Sequence, residues 1–451
     1  MIALSVGVTG CGDAGNACVK GDQKACACPG GAPDGVQVCL ADGTWGECGC
    51  GGTTTTGTAG AGGSTGGNST GGMGTGGNGT GGNSTGGTGG DTGTTTPPMP
   101  CEQVFQGSFT IQNTLDIDTI DPYCEINGDL TITGTLNGAG LAQVALPNLR
   151  KVDGKVLLEG TLTSLSFPAL ESAQAFSVTA DTIDLSALRT LTGMDFSTLT
   201  VKGPLALPAL ETFVGSLYLM PVGDVSLPVL TTAGGLLVFP SGDCPAPQKV
   251  MTPKLVKATA FGASCLTQLD VPMATDLGDL AVWAAPGVTL NMTFPKLTTA
   301  YSFDVSTTGT VSAPELTEVT AGDLRIKHVS GMSLGKVKTV AKDLWVYGLN
   351  MPTLSLPALE SIGGYFKLGG SMSCFGNPPP DPNPALTGFD LPKLATLGVP
   401  GNANWIDLGP NPALPQCRLD ALTNQLKAHG WTGYVFNEQP NVCVLAAGPC
   451  P

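Results

Sequence analysis

The sequence predicts an all-β chain dominated by a parallel β-helix of about 12 turns, preceded by a disulfide-rich module and a Gly/Thr linker and closed by a short helical cap. Three observations predict it. A proline-containing motif recurs from residue 144 with a period of 21; the position two after its proline is leucine in ten of twelve copies; and the residues that follow alternate apolar and polar, which is the period of a strand.

Composition sets the outer bounds. Charged residues are 12% of the 451, aromatics 6%, and the formal net charge is −15. No basic stripe exists to track a phosphate backbone, so nucleic acid is not an expected partner. The histidines are His328 and His429 alone, which excludes a three-histidine zinc site; no metal or cofactor is expected. Fifteen cysteines, with CxC rather than CxxC pairs, point to disulfides and an oxidising compartment.

Residues 1–10 are expected to act as an atypical signal peptide. An apolar run from Ile2 to Val8 leads into Val8-Thr9-Gly10-Cys11, without the basic residue that normally precedes such a run. A start upstream of Met1 would supply it. The tetrapeptide resembles a bacterial lipobox, which implies lipidation at Cys11 and an outer-membrane lipoprotein in a bacterial envelope; secretion is the alternative. Removing Cys11 from the pool leaves an even fourteen cysteines.

Residues 11–50 form the lipidation site and a Cys-rich module. Six cysteines, Cys18, Cys26, Cys28, Cys39, Cys48 and Cys50, crowd a stretch too small to bury a core, so three bridges are expected, of undetermined connectivity. The module, with Asp42, Gly43 and Trp45, is similar to short Cys-rich modules of bacterial surface lipoproteins. Residues 51–100 contain 21 glycines among Thr, Ser and Asn and have nothing to bury, so they read as a disordered tether. Its sequons at Asn68, Asn78 and Asn83 read as composition beside a lipobox.

Residues 101–417 are the expected solenoid. The copies include VALPNLRKV from 144, LSFPALESA from 165, LALPALETF from 205, MTFPKLTTA from 292 and LSLPALESI from 354, with weaker ones centred on Ser186, Pro253 and Gly335. From Pro147 to Pro392 the twelve anchors span 245 residues in eleven intervals; setting aside the last, 35, the other ten total 210, hence 21 each. The arms between anchors are Thr, Ser, Gly and Val, which favours strands over helices. Cys244 and Cys265 are 21 apart and Cys101 and Cys124 are 23 apart, so each pair is placed to bridge neighbouring turns. Cys374 with Cys417 would tie down a proline-rich insertion beginning at Gly376, leaving Cys443 with Cys450.

The recurrent LPxLxxV with its Gly-x-Leu-x-Leu sequel, the strand from Phe109 to Asn113, and Cys124 followed by Ile126-Asn127-Gly128-Asp129-Leu130-Thr131-Ile132 resemble the receptor L domain, a right-handed β-helix of surface proteins. The resemblance implies recognition of another molecule, a cell-surface protein or a polysaccharide, and carries over no catalytic residue. Residues 418–451 form the cap: Leu419, Leu422 and Leu426 have helical spacing and Gly430 falls where a helix would end.

Stacked turns also stack their polar positions. Arg150, Glu171, Arg189 and Glu211, three after successive anchors, read as a charge ladder rather than a catalytic cluster. Ser172, Thr190, Thr212, Thr232, Thr299, Thr339, Ser361 and Thr396, four after their anchors, make a hydroxyl column that reads as a solvated face and could alternatively meet an ordered surface. Asp116, Asp118, Asp121 and Glu125 lack calcium-loop spacing, and alternation places the first two on an outer strand face. His328 is expected exposed and His429 near a helix end. The function predicted is a non-enzymatic, lipid-anchored envelope protein that presents the solenoid for binding or adhesion. The alternative is a carbohydrate-active β-helix enzyme, which would need Asp, Lys or Arg clustered on consecutive turns; the insertion, with Asp381 as its acid, argues against it.

Overall fold

A repeat of 21 residues cannot bury its own apolar positions, and stacking copies is what closes a core over them. The computed structural model describes residues 103–135, 140–240, 244, 246–369, 382–398, 405–409 and 411–437, with the strand backbones Gln23–Cys26 and Gly35–Val38. The chain divides into two compact units, Met1–Thr94 and Thr95–Pro451. In the first, the two described strands pair antiparallel, Gln23 opposite Val38 and Cys26 opposite Gly35. The linker, Cys11, Cys18, Cys28, Cys39, Cys48 and Cys50, the side chain of Cys26, and Cys101, Cys374, Asp381, Cys443 and Cys450 lie outside the described residues.

The second unit is a parallel β-solenoid of about 12 turns. Each coil visits three sheets, here A, B and C. The coil that starts at Pro147 supplies Lys151–Val152 to sheet A, turns at Asp153 and Gly154, supplies Lys155–Glu159 to sheet B and Leu162–Ser166 to sheet C. It then returns through the turn from Phe167 to Leu170. In that turn the N–H of Leu170 donates to the Phe167 carbonyl at 3.1 Å, and the same bond recurs at Leu149 to Leu146, Leu210 to Leu207 and Leu359 to Leu356. The repeating proline is the second residue of this β-turn. Its ring pre-sets φ there, and its missing N–H would have had no partner in the turn. Where Ser186 replaces it, the extra N–H finds the Asp184 carboxylate at 3.1 Å.

The leucine column lies inside: Leu149, Leu170, Leu210, Leu297 and Leu359 are at most 1% exposed, with Ala274 and Val337 completing the column in the same position. Each fully buried leucine contributes roughly 1.5–3 kcal/mol by apolar transfer. The glycines of the motif sit at the corner between sheets A and B. A Cβ on Gly278 would overlap the Thr259 carbonyl oxygen, and one on Gly234 would overlap those of Val214 and Gly215, so only a bare Cα lets consecutive coils approach there. Carboxylates hold the same corner from the preceding coil. Asp129 Oδ1 accepts from the Lys155 N–H at 2.8 Å, Asp323 Oδ1 from Asp343 at 3.2 Å, and Asp343 Oδ1 from Tyr365 at 2.9 Å.

Two helices interrupt the pattern. The first, α1 (Thr114–Ile120), corrects the strand reading of Asp116 and Asp118. Asn113 caps it through hydrogen bonds from Leu115 and Asp116, while Asp116 Oδ2 accepts from the Gln112 and Asn113 N–H groups at 2.7 and 3.1 Å. This reciprocal capping pair outweighs the local alternation, because it satisfies N–H groups that a helix start leaves open. The second, α2 (Gln416–Ala428), buries Leu419, Leu422 and Leu426. It ends at His429 with Gly430 at φ +88, and the N–H groups of Gly430 and Trp431 return to Lys427 and Leu426 at 3.0 Å each. That is the glycine-terminated end expected from the sequence.

Cys244 and Cys265 are disulfide-bonded across the interval of 21, with their Cα atoms 5.4 Å apart. Cys124 and Cys417 are also disulfide-bonded, and their partner sulfurs lie outside the described residues.

Candidate binding face

Sheet B is the broad face, and strand alternation sends every second residue of each rung outward. Its middle column is in register from Asp304 through Arg325, Trp345 and Lys367 to Asp407, the last of which is buried. The column on one side runs from Trp283 through Ser306 and Lys327 to Tyr347, and Tyr365, Trp405 and Tyr434 stand on the other. Thus three of the five tryptophans and, with Tyr218 farther up the sheet, four of the six tyrosines project from one face.

The charges on this face are engaged with one another. Arg325 meets Asp323 at 2.5 Å, Lys327 meets Asp304 at 2.9 Å, and Lys367 meets Asp343 at 3.7 Å. The cations also lie over rings. The Arg325 guanidinium is 4.6 Å from the centroid of Trp345, and Lys367 Nζ is 3.7 Å from Trp345 and 5.2 Å from Tyr365. Tyr365 stacks on Trp405 at 4.2 Å, and Trp405 packs against Tyr434 at 5.9 Å. The indole N–H of Trp345 donates to Asp343 at 3.0 Å. At the Lys327–Asp304 and Lys367–Asp343 pairs the side chains are only 16–18% exposed, so solvent screens them less than it would a surface pair.

The sequence-derived sites fall elsewhere. In the charge ladder, Arg189 and Glu211 pair at 3.2 Å, the one contact of the four within ion-pair range among the described residues. The hydroxyl column lies in register on sheet A but is broken by charges, with Lys257 and Asp276 between Thr232 and Thr299 and Glu318 between Thr299 and Thr339. The neighbouring hydroxyls of Thr231, Thr275, Thr298 and Thr317 instead donate to carbonyls of the preceding coil, a structural use. His328, expected exposed, is half-buried at φ +63, with Nδ1 3.3 Å from the Ser306 hydroxyl and its ring edge-on to Tyr347. The left-handed backbone there ends the outward alternation that the sequence suggested. Lys151 and Lys155 have pKa values raised above the usual lysine range by hydrogen bonds to Asp153 and Asp195, respectively.

Sequence reasoning missed two features. One is the aromatic–cation face itself. The other is a buried pair of asparagines, each beginning the tetrapeptide Asn-Pro-Ala-Leu at 383 and 411. Asn383 Nδ2 donates to Asn411 Oδ1 at 2.8 Å and to the Val346 carbonyl at 3.2 Å. Asn411 Nδ2 reaches the Gly409 and Leu368 carbonyls at 2.8 and 3.2 Å. The repeated tetrapeptide was the available signal. A cleft of about 170 Å³ beside α2 is lined by Phe389, Asp390, Arg418, Leu422 and Gln425, which gives it one carboxylate and one guanidinium. Among the described residues no group of three or more His, Cys, Asp or Glu is placed to hold a metal ion, and no helix is long and apolar enough to cross a membrane.

Fold and face together define a disulfide-containing β-solenoid with one aromatic, charge-paired surface. The chain is similar to Protein ecm33 of Aspergillus fumigatus, 28% identical over 284 residues, which cover 58% of this chain and 62% of that protein. The match therefore spans less than two thirds of that relative's length. No family model matches the chain, and no solved structure matches it significantly.

Proposed function

We propose that this is a non-enzymatic surface protein that presents its solenoid for binding, held at a bacterial envelope by a lipid on Cys11. The observation that carries the binding reading is the aromatic–cation face of sheet B. Large rings and pre-positioned charges on an outer surface are groups a folded core has no need of, and they are the groups recognition sites favour. The Cys244–Cys265 bridge supports export to an oxidising compartment. Val8-Thr9-Gly10-Cys11 supports the lipid anchor, and the glycine-rich residues 51–100 suit a tether between anchor and body.

One observation favours a second reading, a carbohydrate-active enzyme. Asp304, Asp323, Arg325, Lys327, Asp343 and Lys367 do lie on consecutive coils. Against it, each cation is already paired with a carboxylate and stacked on a ring, an arrangement that positions charge rather than leaving a base to take a proton.

Intact mass spectrometry of the membrane fraction of the native host tests the anchor. The expected result is a diacylglyceryl or triacyl group on a mature chain beginning at Cys11; an unlipidated chain starting elsewhere overturns it. Release of new reducing ends or unsaturated products from polysaccharides by the purified protein would establish the enzymatic reading instead.

A further inference from the structure

We propose that the outer face of sheet B between Trp283 and Tyr434 binds a neutral polysaccharide chain lying along the solenoid axis. The inference rests on the binding reading and assigns its surface and ligand chemistry.

Four observations converge. The first is placement. The interior is filled by leucine, valine, isoleucine and phenylalanine, so the outward rings are surplus to the core. Trp283 and Tyr434, at the two ends of the face, remain 36% and 53% exposed. The second is chemistry. Sugar rings offer C–H faces that pack on aromatic rings and hydroxyls that need fixed donors and acceptors. Here both kinds of group are present: Trp283 and Tyr434 are the exposed rings, and between them Arg325, Lys367 and Asp343 are held in place about Trp345. Side chains already held by pairs and rings lose little further freedom when a ligand arrives.

The third is charge. Three cations are matched by three carboxylates in the ion pairs of this face, on a chain whose net charge is −15. A polyanion gains nothing from such a surface and is repelled by the rest of the molecule; beyond the three pairs the face holds Asp279, which accepts from the Ser302 hydroxyl at 2.8 Å, and Asp407, which is buried. An uncharged polymer of hydroxyls and C–H groups is the complement. The fourth is length. Six rung steps separate Trp283 from Tyr434, about 29 Å at ~4.8 Å per rung, which suits a linear chain of several sugars rather than a single one.

The test uses the full chain with cello-, chito- and laminari-hexaose as neutral probes, oligogalacturonate as the acidic one, and cellulose, chitin and curdlan as insoluble polymers. Calorimetry and tryptophan fluorescence report binding. We expect at least one neutral hexasaccharide to bind, and Trp283→Ala with Tyr434→Ala to weaken it at least tenfold. Phe196→Ala, which removes a comparably exposed ring (60%) from a coil outside this segment, should change neither affinity nor fluorescence response. Thermal melts check that the variants stay folded, and either single substitution alone should weaken binding in the same direction. The proposal is overturned if no neutral saccharide binds, if only the acidic one does, or if the double variant binds normally. Failure on all glycans would turn the face over to protein docking and leave the lipid-anchor reading untouched, since mass spectrometry decides that separately.

Discussion

At the scale of single residues, the corner glycines show how strongly stacking constrains the chain. Gly278 faces a carbonyl oxygen of the preceding coil, and backbone cannot swing aside as the tip of a long side chain can. Gly278→Ala should therefore destabilise the solenoid by about 1–3 kcal/mol, read from urea unfolding. Gly203, where a Cβ would meet nothing within 4 Å, provides the contrast, and Gly203→Ala should leave the midpoint nearly unchanged. An equal response at the two positions would remove the steric account.

At the scale of elements, the asparagine pair joins two irregular stretches to the last coils. Both side chains are fully buried, and Leu349 N–H donates to Asn383 Oδ1 at 2.9 Å, so the amide satisfies backbone groups across neighbouring coils. Its loss strands those groups without water. Asn383→Ala is expected to cost about 1–3 kcal/mol, and Asn411→Ala a similar amount. The double variant should cost less than the sum, because the bond between them is lost once. A strictly additive cycle would mean that the two amides act independently. The helix α1 teaches a related lesson. Its capping pair is written in Asn113 and Asp116, yet carboxylates at alternate positions also read as one strand face, and the two readings are separable only once the open N–H groups are counted.

At the scale of the whole molecule, each coil touches chiefly its neighbours, so stability is a chain of coil-to-coil terms rather than one central core. The disulfide between Cys244 and Cys265 spans a single coil in the middle of that chain. Replacing both cysteines by serine should lower stability by roughly 2–4 kcal/mol. Hydrogen exchange should show the loss concentrated in the coils beside residues 244–265. Uniform loss along the solenoid would instead indicate a single cooperative unit.

The period, the strand character and the inward leucines were legible in the sequence because they are local and repeated. A proline turn and a buried column leave the same trace in every copy. The glycine end of α2 was legible for the same reason, since a left-handed residue after a helix has few chemical solutions. The aromatic–cation face was not. Its middle column joins Asp304, Arg325, Trp345, Lys367 and Asp407, whose spacings are 21, 20, 22 and 40 residues, so no fixed period picks them out. That the chain coils, and which side of each strand is buried, is written in the residues themselves, because burial obeys a repeating apolar pattern. Which outward side chains become neighbours depends on how the coils stack, because register absorbs the variable corners and the insertion between coils before it sets one rung upon the next.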